Sequence, residues 1–423
     1  MNRRRWLKSG LLAAAGFALT GPGQRARAAA PARVVIAGGG FGGSACALEL
    51  RRRNPVLEIL LVDPEDRYLT CPGSNQVVAG LSTMASLAVS RAGLRAAGIL
   101  VARDRVIRID PLQRCVRLAG GASLPYDRLV VAPGIRFLWD RIEGLSAQSS
   151  LHMPHAWIAG EQTLRLEQQL RGMRHGGVVA ISVPSGLMRC PPGPYERASL
   201  IAHFLKSRKP RAKLLLLDAN NSFPRQPQFM DAWQRLYPGL IEWIPMTQDG
   251  AVVRVDTASR TLFTAGSAHR VAVASVIPPQ APGELALVAG LASGHGWCPI
   301  DPVTFESRNT PGIHVIGDAC IAGAMPKSGS AAVSQALHCA AAIGALLDER
   351  TPAVTPFDSV CYAQVAPLLA LSLPGHFSID DDSIVAPLPK EAPPVRLDMT
   401  VAAEQSDAAA RWYRSIRAQA FAA

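Results

Sequence analysis

The stretch ARVVIAGGGFGGSACALELRRRN, residues 32–54, constrains the fold more than any other part of the chain. Val34, Val35 and Ile36 form a continuous β-branched run, the pattern of a parallel strand buried on both faces. Gly38, Gly40 and Gly43 follow in the spacing GxGxxG, and a helical run comes next. In such a turn the first glycine permits the tight bend. The second lets the backbone approach a pyrophosphate, and the third packs the helix on the sheet. The helix start adds free N–H groups and a positive dipole end. A second strand, LEILLVD, ends in Asp63, twenty residues after Gly43. A carboxylate there accepts ribose hydroxyls. These features predict an α/β domain that binds a dinucleotide, either NAD or FAD.

A second strand–turn–helix opening occurs at residues 176–205, but its turn is different. GGVVAISVPS reads as a buried strand over Val178–Val183, and KLLLLD at Lys213–Asp218 as the next strand. Between them lies RCPPGPYERAS, residues 189–199, leading into the helical run ERASLIAHFLKS. Only Gly186 and Gly193 stand in this turn, and prolines at 184, 191, 192 and 194 remove N–H donors that a phosphate needs. The second domain therefore keeps a βαβ scaffold without a phosphate cradle. NAD(P)H is not expected to bind, and electrons must enter from another donor. Asp218 reads either as a leftover ribose acid or, more simply, as an exposed strand end.

The remaining composition narrows the function class. The chain has 423 residues, 48% hydrophobic and 18% charged, enough for two or three domains with sizeable cores. The net charge of +12 is uneven: Arg3, Arg4, Arg5, Lys8, Arg25 and Arg27 carry half of it, leaving +6 for the rest. No basic stretch with interleaved aromatics follows, so nucleic acid is not an expected partner. RRRWLKSG, the apolar run LLAAAGFALT and the small residues ARAAA read as a twin-arginine export signal over residues 1–30, which predicts a periplasmic protein. The apolar run is too short to span a bilayer, which takes about 20 residues, so no stable membrane insertion is expected. The eight cysteines contain no CxxC pair, and no histidine shows metal-ligand spacing. Cys46, Cys115 and Cys339 read as small core hydrophobes, and Cys298 and Cys320 as structural. Cys190, beside two prolines in a turn, is placed by no helix period and reads as functional.

Wider motifs extend this reading. YDRLVVAPGI (126–135, with Gly134) and TPGIHVIGDAC (310–320, with Asp318) resemble the later segments of two-dinucleotide-domain flavoprotein reductases, where the aspartate binds the ribityl chain of FAD. Together with YLTCPGSNQVVAG, PHAWIAGEQT, RCPPGPYERAS, GWCPIDPVTFES, IHVIGDACIAGAMPKSG and VCYAQVAP, they cover most of residues 33–367. The chain thereby resembles the flavoprotein subunit of flavocytochrome c sulfide dehydrogenase and its sulfur-oxidation relative. The resemblance implies a glutathione-reductase-like α/β fold. Residues 31–145 and 271–350 would bind FAD, 146–270 would form the degenerate NAD(P)H-binding-like domain, and 351–423 a small C-terminal domain.

The resemblance also implies a redox disulfide of Cys190 and Cys361, with Glu196 beside it. Glu196 would either relay a proton or hold Arg197. It implies a covalent flavin link at Cys71 and a cation, Lys327, near the flavin ring. The substrate would be sulfide, a small nucleophile suited to opening a disulfide, and the partner a cytochrome c subunit. Two other readings stand beside it. A sulfide:quinone oxidoreductase would need an apolar membrane face near the C-terminus, where only Trp412, Ile416 and Phe421 stand among many alanines. A poorly active flavin-binding partner subunit is the other, given the weaker resemblance over residues 368–400.

Overall fold

The structure, a computed structural model, describes residues 31–292, 296–387 and 396–423. The expected export signal at 1–30 and most of the proline-rich segment 388–398 lie outside the described residues. In the first half, β1 (Arg33–Ala37) leads into α1 (Phe41–Arg53) and β2 (Glu58–Val62). The short α2 (Ser74–Val78), β3 (Leu100–Ala102) and β4 (Arg128–Val131) follow. The second half contributes α3 (Glu161–Gly172), β5 (Val178–Val183), α4 (Gly193–Arg208), β6 (Lys213–Asp218), β7 (Ile241–Ile244) and β8 (Val273–Val276). The chain then returns through β9 (Ile313–Val315) and α5 (Gly329–Leu347). It ends in a long hairpin, β10 (Phe357–Ala366) and β11 (Leu369–Asp380), and α6 (Met399–Phe421).

The two continuous apolar strands become the hubs of two parallel sheets. One runs β9-β4-β1-β2-β3, and the other β7-β6-β5-β8. Every pairing in both is parallel. Val34, Val35 and Ile36 in β1 and Val179, Ala180 and Ile181 in β5 are fully buried, as strands covered on both faces must be. The second unit is wider than residues 146–270. β8 lies in its sheet with Val273 opposite Val179, and Glu143 bridges Arg254.

Cys46 and Cys339 are buried in the core between α1 and α5, and Cys298 sits opposite Cys320 in a short buried parallel bridge. α5 is long and apolar enough to cross a membrane, yet it is a core helix, 61% buried, packed on α1 and β10. The C-terminal hairpin spans both halves. Phe357 and Phe377 join the first core, while Ala363, Val365 and Leu371 join the second. Residues 369–380, which the sequence leaves without a role, are the strand that braces Cys361, paired with Leu373.

Candidate active site

The first glycine turn is built as its spacing requires. Gly38 has a φ of +106°, and a Cβ there would collide with the Ala132 carbonyl oxygen. A Cβ on Gly43 would run into the Gly38 carbonyl, so α1 can approach the turn only without a side chain. No side chain caps the start of α1, and Gly40, Phe41 and Gly42 line a cavity of about 640 Å³. Asp63 closes the turn by accepting from the Gly39 N–H at 2.6 Å. Its other oxygen lies 3.1 Å from the guanidinium of Arg91, which is fully buried and also reaches the Gly39 carbonyl. Sequence reasoning missed Arg91, because it sits 28 residues beyond Asp63 with no motif around it.

The same cavity receives residues from both halves and from the C-terminal hairpin. Asp63, Cys71, Gly134, Cys190, Glu196, Asp318 and Cys361 all line it. A larger open groove of about 1300 Å³, lined by His152, Arg174, Arg260 and Arg270, holds none of these. Cys190 adopts φ +54°, a left-handed conformation that costs a non-glycine residue energy and tends to mark functional sites. Its amide donates to the Lys327 carbonyl at 2.7 Å, and its carbonyl accepts from Gly193 at 2.8 Å. The turn that lost its glycines therefore presents a thiol to the cavity. A side chain at Gly193 would crowd both the Cys190 sulfur and Trp157.

Cys190 and Cys361, the pair that the resemblance implies as a redox disulfide, are brought into one cavity, each as a free cysteine in this structure. Burial pushes the Cys190 thiol well up, and Cys361, Glu196 and Cys71 add to this, while Arg189 opposes it. Burial also raises Cys361, opposed by a hydrogen bond with Ser328. Cys71 is likewise free, its sulfur 3.9 Å from the Trp157 carbonyl.

Glu196 does not hold Arg197. Its oxygens accept from Asn75 Nδ2 at 2.7 Å and from the Gln364 amide at 2.9 Å. Arg197 is buried and bound instead by Asn75 Oδ1 at 3.0 Å, Ser275 Oγ at 2.9 Å and the carbonyls of His155 and Ala156. Asn75 thus joins the two charges with one amide. It lies inside the quoted YLTCPGSNQ motif, but nothing local marks it. Burial raises the Glu196 carboxyl above its ordinary value, against the pull of its hydrogen bonds and of Arg197.

The resemblance puts Lys327 near the flavin ring, and its carbonyl holds the amide of Cys190. Its ammonium donates to the carbonyls of Asp318 at 2.8 Å and Cys320 at 2.9 Å, sits 3.8 Å over the Trp297 ring, and does not line the cavity. Three arginines do line it, Arg105, Arg189 and Arg197, and of these Arg189 is next to Cys190 in the chain. Asp218 is not an exposed strand end. It is fully buried and accepts from Tyr195 OH, Trp243 Nε1 and both nitrogens of Asn220 at 2.8–3.0 Å. Tyr195 stacks on Phe223 at 3.7 Å, and Trp243 packs edge-on against that ring.

The residues of the first half fit FAD. The glycine cradle would be filled by any Cβ at Gly38 or Gly43, and the helix start is uncapped. The indole N–H of Trp157, a lining residue, is buried with no partner among the described residues. Two parallel sheets, a dinucleotide cradle and cysteines opposite it define a flavoprotein of the pyridine nucleotide-disulfide oxidoreductase class. The family model for pyridine nucleotide-disulphide oxidoreductases matches residues 32–171, and that for the central part of the sulfide dehydrogenase (flavocytochrome c) flavoprotein chain matches residues 163–278.

Within that class the chain is a flavoprotein of the sulfide dehydrogenase and sulfide:quinone oxidoreductase type. It is 23% identical to the mitochondrial sulfide:quinone oxidoreductase of Mus musculus over 298 residues, 67% of this chain and 65% of that protein. The match thus spans just under two thirds of the mouse protein. A 45-residue stretch is 49% identical to the sulfide dehydrogenase flavoprotein chain of Chlorobaculum thiosulfatiphilum, covering 11% of this chain and 94% of that sequence. The fold superposes on the sulfide:quinone oxidoreductase of Aquifex aeolicus with a TM-score of 0.68 at 19% identity, over 93% of each chain.

Proposed function

We propose that this chain is the flavoprotein subunit of a sulfide dehydrogenase. It oxidises sulfide to sulfane sulfur through Cys190 and Cys361 with FAD and passes electrons to a cytochrome c. The observation that carries the reading is the convergence of Cys190, Cys361 and Glu196 on the cavity of the glycine turn. Gly38, Gly40 and Gly43 would hold the pyrophosphate, with Asp63 toward the adenosine ribose and Asp318 toward the ribityl chain. Bound FAD accepts two electrons together and releases them singly, which suits a haem acceptor.

The chain's own residues do the sulfur chemistry. In the oxidised enzyme Cys190 and Cys361 are joined. Hydrosulfide bonds to one sulfur, the S–S bond breaks, and the other sulfur leaves as a thiolate with the bonding pair. A second hydrosulfide bonds to the outer sulfur of the persulfide and departs as hydrogen disulfide, leaving the second thiolate. Re-forming the S–S bond from the two thiolates would release two electrons, which FAD held at the glycine turn would accept. Glu196, raised by burial and anchored by Asn75 and Gln364, accepts the proton that the sulfur product loses.

Three observations favour this reading over its rivals. The acid that a nucleotide ribose would need in the second half, Asp218, is occupied by Tyr195 and Trp243, which supports sulfide rather than NAD(P)H as donor. Ile416 and Phe421 in α6 are 3% and 0% exposed, packed into the first core. That leaves α6 little apolar surface for a membrane, which favours cytochrome c over quinone. The sequence of residues 1–30 supports a periplasmic site.

Anaerobic titration of the holoprotein with sulfide tests the proposal. Wild type is expected to bleach its flavin band and then reduce cytochrome c on mixing. Cys190→Ser should retain its flavin and fail to bleach. Equal bleaching in both rejects the disulfide route, and reduction of a soluble quinone in preference to cytochrome c selects the rival acceptor.

A further inference from the structure

The sulfur side of the cavity needs a positive charge, because both its substrate and its opened disulfide are anions. Lys327 is committed to two carbonyls and the Trp297 ring. Arg197 is spent on Asn75, Ser275 and two carbonyls. Arg189 differs from both. It lines the cavity beside Cys190, its backbone amide is pinned by Gln280 Oε1 at 2.9 Å, and its guanidinium makes one hydrogen bond, to the Trp157 carbonyl at 2.5 Å. The remaining N–H groups of that guanidinium have no partner among the described residues. Burial works against its charge, but the anionic forms of Cys71, Asp318, Tyr68 and Cys190 around it outweigh this and raise its pKa. The charged groups that act on Cys190 are Cys361 from β10, Glu196 and Arg197 from α4, Cys71 and Arg189; of these, the two arginines favour a thiolate, and Arg197 is already held by its four hydrogen bonds.

Resting on the sulfide-dehydrogenase reading above, we infer that Arg189 is a catalytic residue of the sulfur site. Its guanidinium holds the hydrosulfide anion at the disulfide and neutralises the thiolate form of Cys190 once the disulfide opens. An arginine suits this role because it stays protonated at every working pH and carries several donors on one rigid plane. Gln280 and Trp157 fix the residue from two sides, so the charge is aimed in advance rather than recruited.

The test is thiol chemistry on the reduced holoprotein, read by peptide mass spectrometry at Cys190. In wild type the rate ratio of iodoacetate to iodoacetamide at Cys190 should exceed the ratio for free cysteine, because the anionic reagent is drawn to the arginine. A ratio below that of free cysteine, the signature of a site ruled by Glu196, overturns the inference without any variant. Arg189→Gln should move the pH midpoint of Cys190 alkylation up by about one unit or more, the usual effect of losing a close opposite charge. Arg189→Lys should keep most of the wild-type midpoint. An unchanged midpoint in Arg189→Gln also overturns it. Sulfide bleaching should slow at least tenfold in Arg189→Gln and recover partly in Arg189→Lys. If wild type itself does not bleach with sulfide, the functional reading fails, while the alkylation result still decides the charge at Cys190.

Discussion

The two halves of this chain start from the same βαβ plan and end at opposite uses of it. In the first, β1 runs into a turn where side chains at Gly38 and Gly43 would strike backbone carbonyls, so the turn stays bare and the helix start faces a cavity. In the second, β5 runs into a turn of cysteine and proline, and the left-handed Cys190 offers sulfur where the first half offers N–H groups. The acids at the ends of β2 and β6 diverge in the same way. Asp63 lines the cavity, whereas Asp218 is buried under Tyr195 and Trp243. A parallel sheet positions whatever its first turn carries, and here the turn and the acid at the end of the next strand differ together between the two halves.

That contrast can be broken most severely in the first half. Gly43→Val should abolish flavin retention, since its side chain cannot fit against the Gly38 carbonyl; the ratio of flavin to protein absorbance after purification reads this out. Next in size, Asp218→Asn should cost about 1–3 kcal/mol, the range for mispairing a buried polar group, without changing flavin content. Asp63→Asn should do the reverse, lowering flavin retention more than stability; urea melts with flavin counts separate the two. Asn75→Ala removes the amide between Glu196 and Arg197 and is expected to cost about 1–2 kcal/mol and to slow sulfide bleaching.

A smaller effect concerns pH. Burial, then the nearby Arg197 and Arg189, hold the His155 pKa down at about 3, against an ordinary 6.5. The unfolded chain therefore binds a proton between these values that the folded chain refuses. Its stabilising contribution is complete above pH 6.5 and is lost as the pH falls toward 3. Urea midpoints at pH 7.5 and 5 should differ less in His155→Gln than in wild type. The smallest expected effect is none. Pro191→Gly with Pro192→Gly should not give NADH-driven flavin bleaching, because the Tyr195–Phe223 stack still occupies the second half.

How much was legible depended on how local the determinant was. The strands Val178–Val183 and Lys213–Asp218 could be read because each is an unbroken apolar run between turn residues. Gly38, Gly40 and Gly43 could be read because sterics fix their spacing. The hairpin at 357–380 could not, because its burial alternates between two cores far apart in sequence. Arg91, Asn75 and Arg189 escaped because their partners lie 26 to 122 residues away, and no periodicity encodes such pairs. The partners of Lys327 escaped for the same reason. Its position could be matched, but the two carbonyls that capture its ammonium could not be foreseen.

The central claim is that sulfur from two distant segments forms the entry point for electrons. Peptide mapping of the oxidised holoprotein, alkylated without reduction before and after one equivalent of sulfide, tests this most directly. A cross-linked pair of peptides carrying Cys190 and Cys361, opened by sulfide with one cysteine bearing an extra sulfur, is the expected result. Finding both cysteines free in oxidised protein whose flavin still bleaches with sulfide would contradict it.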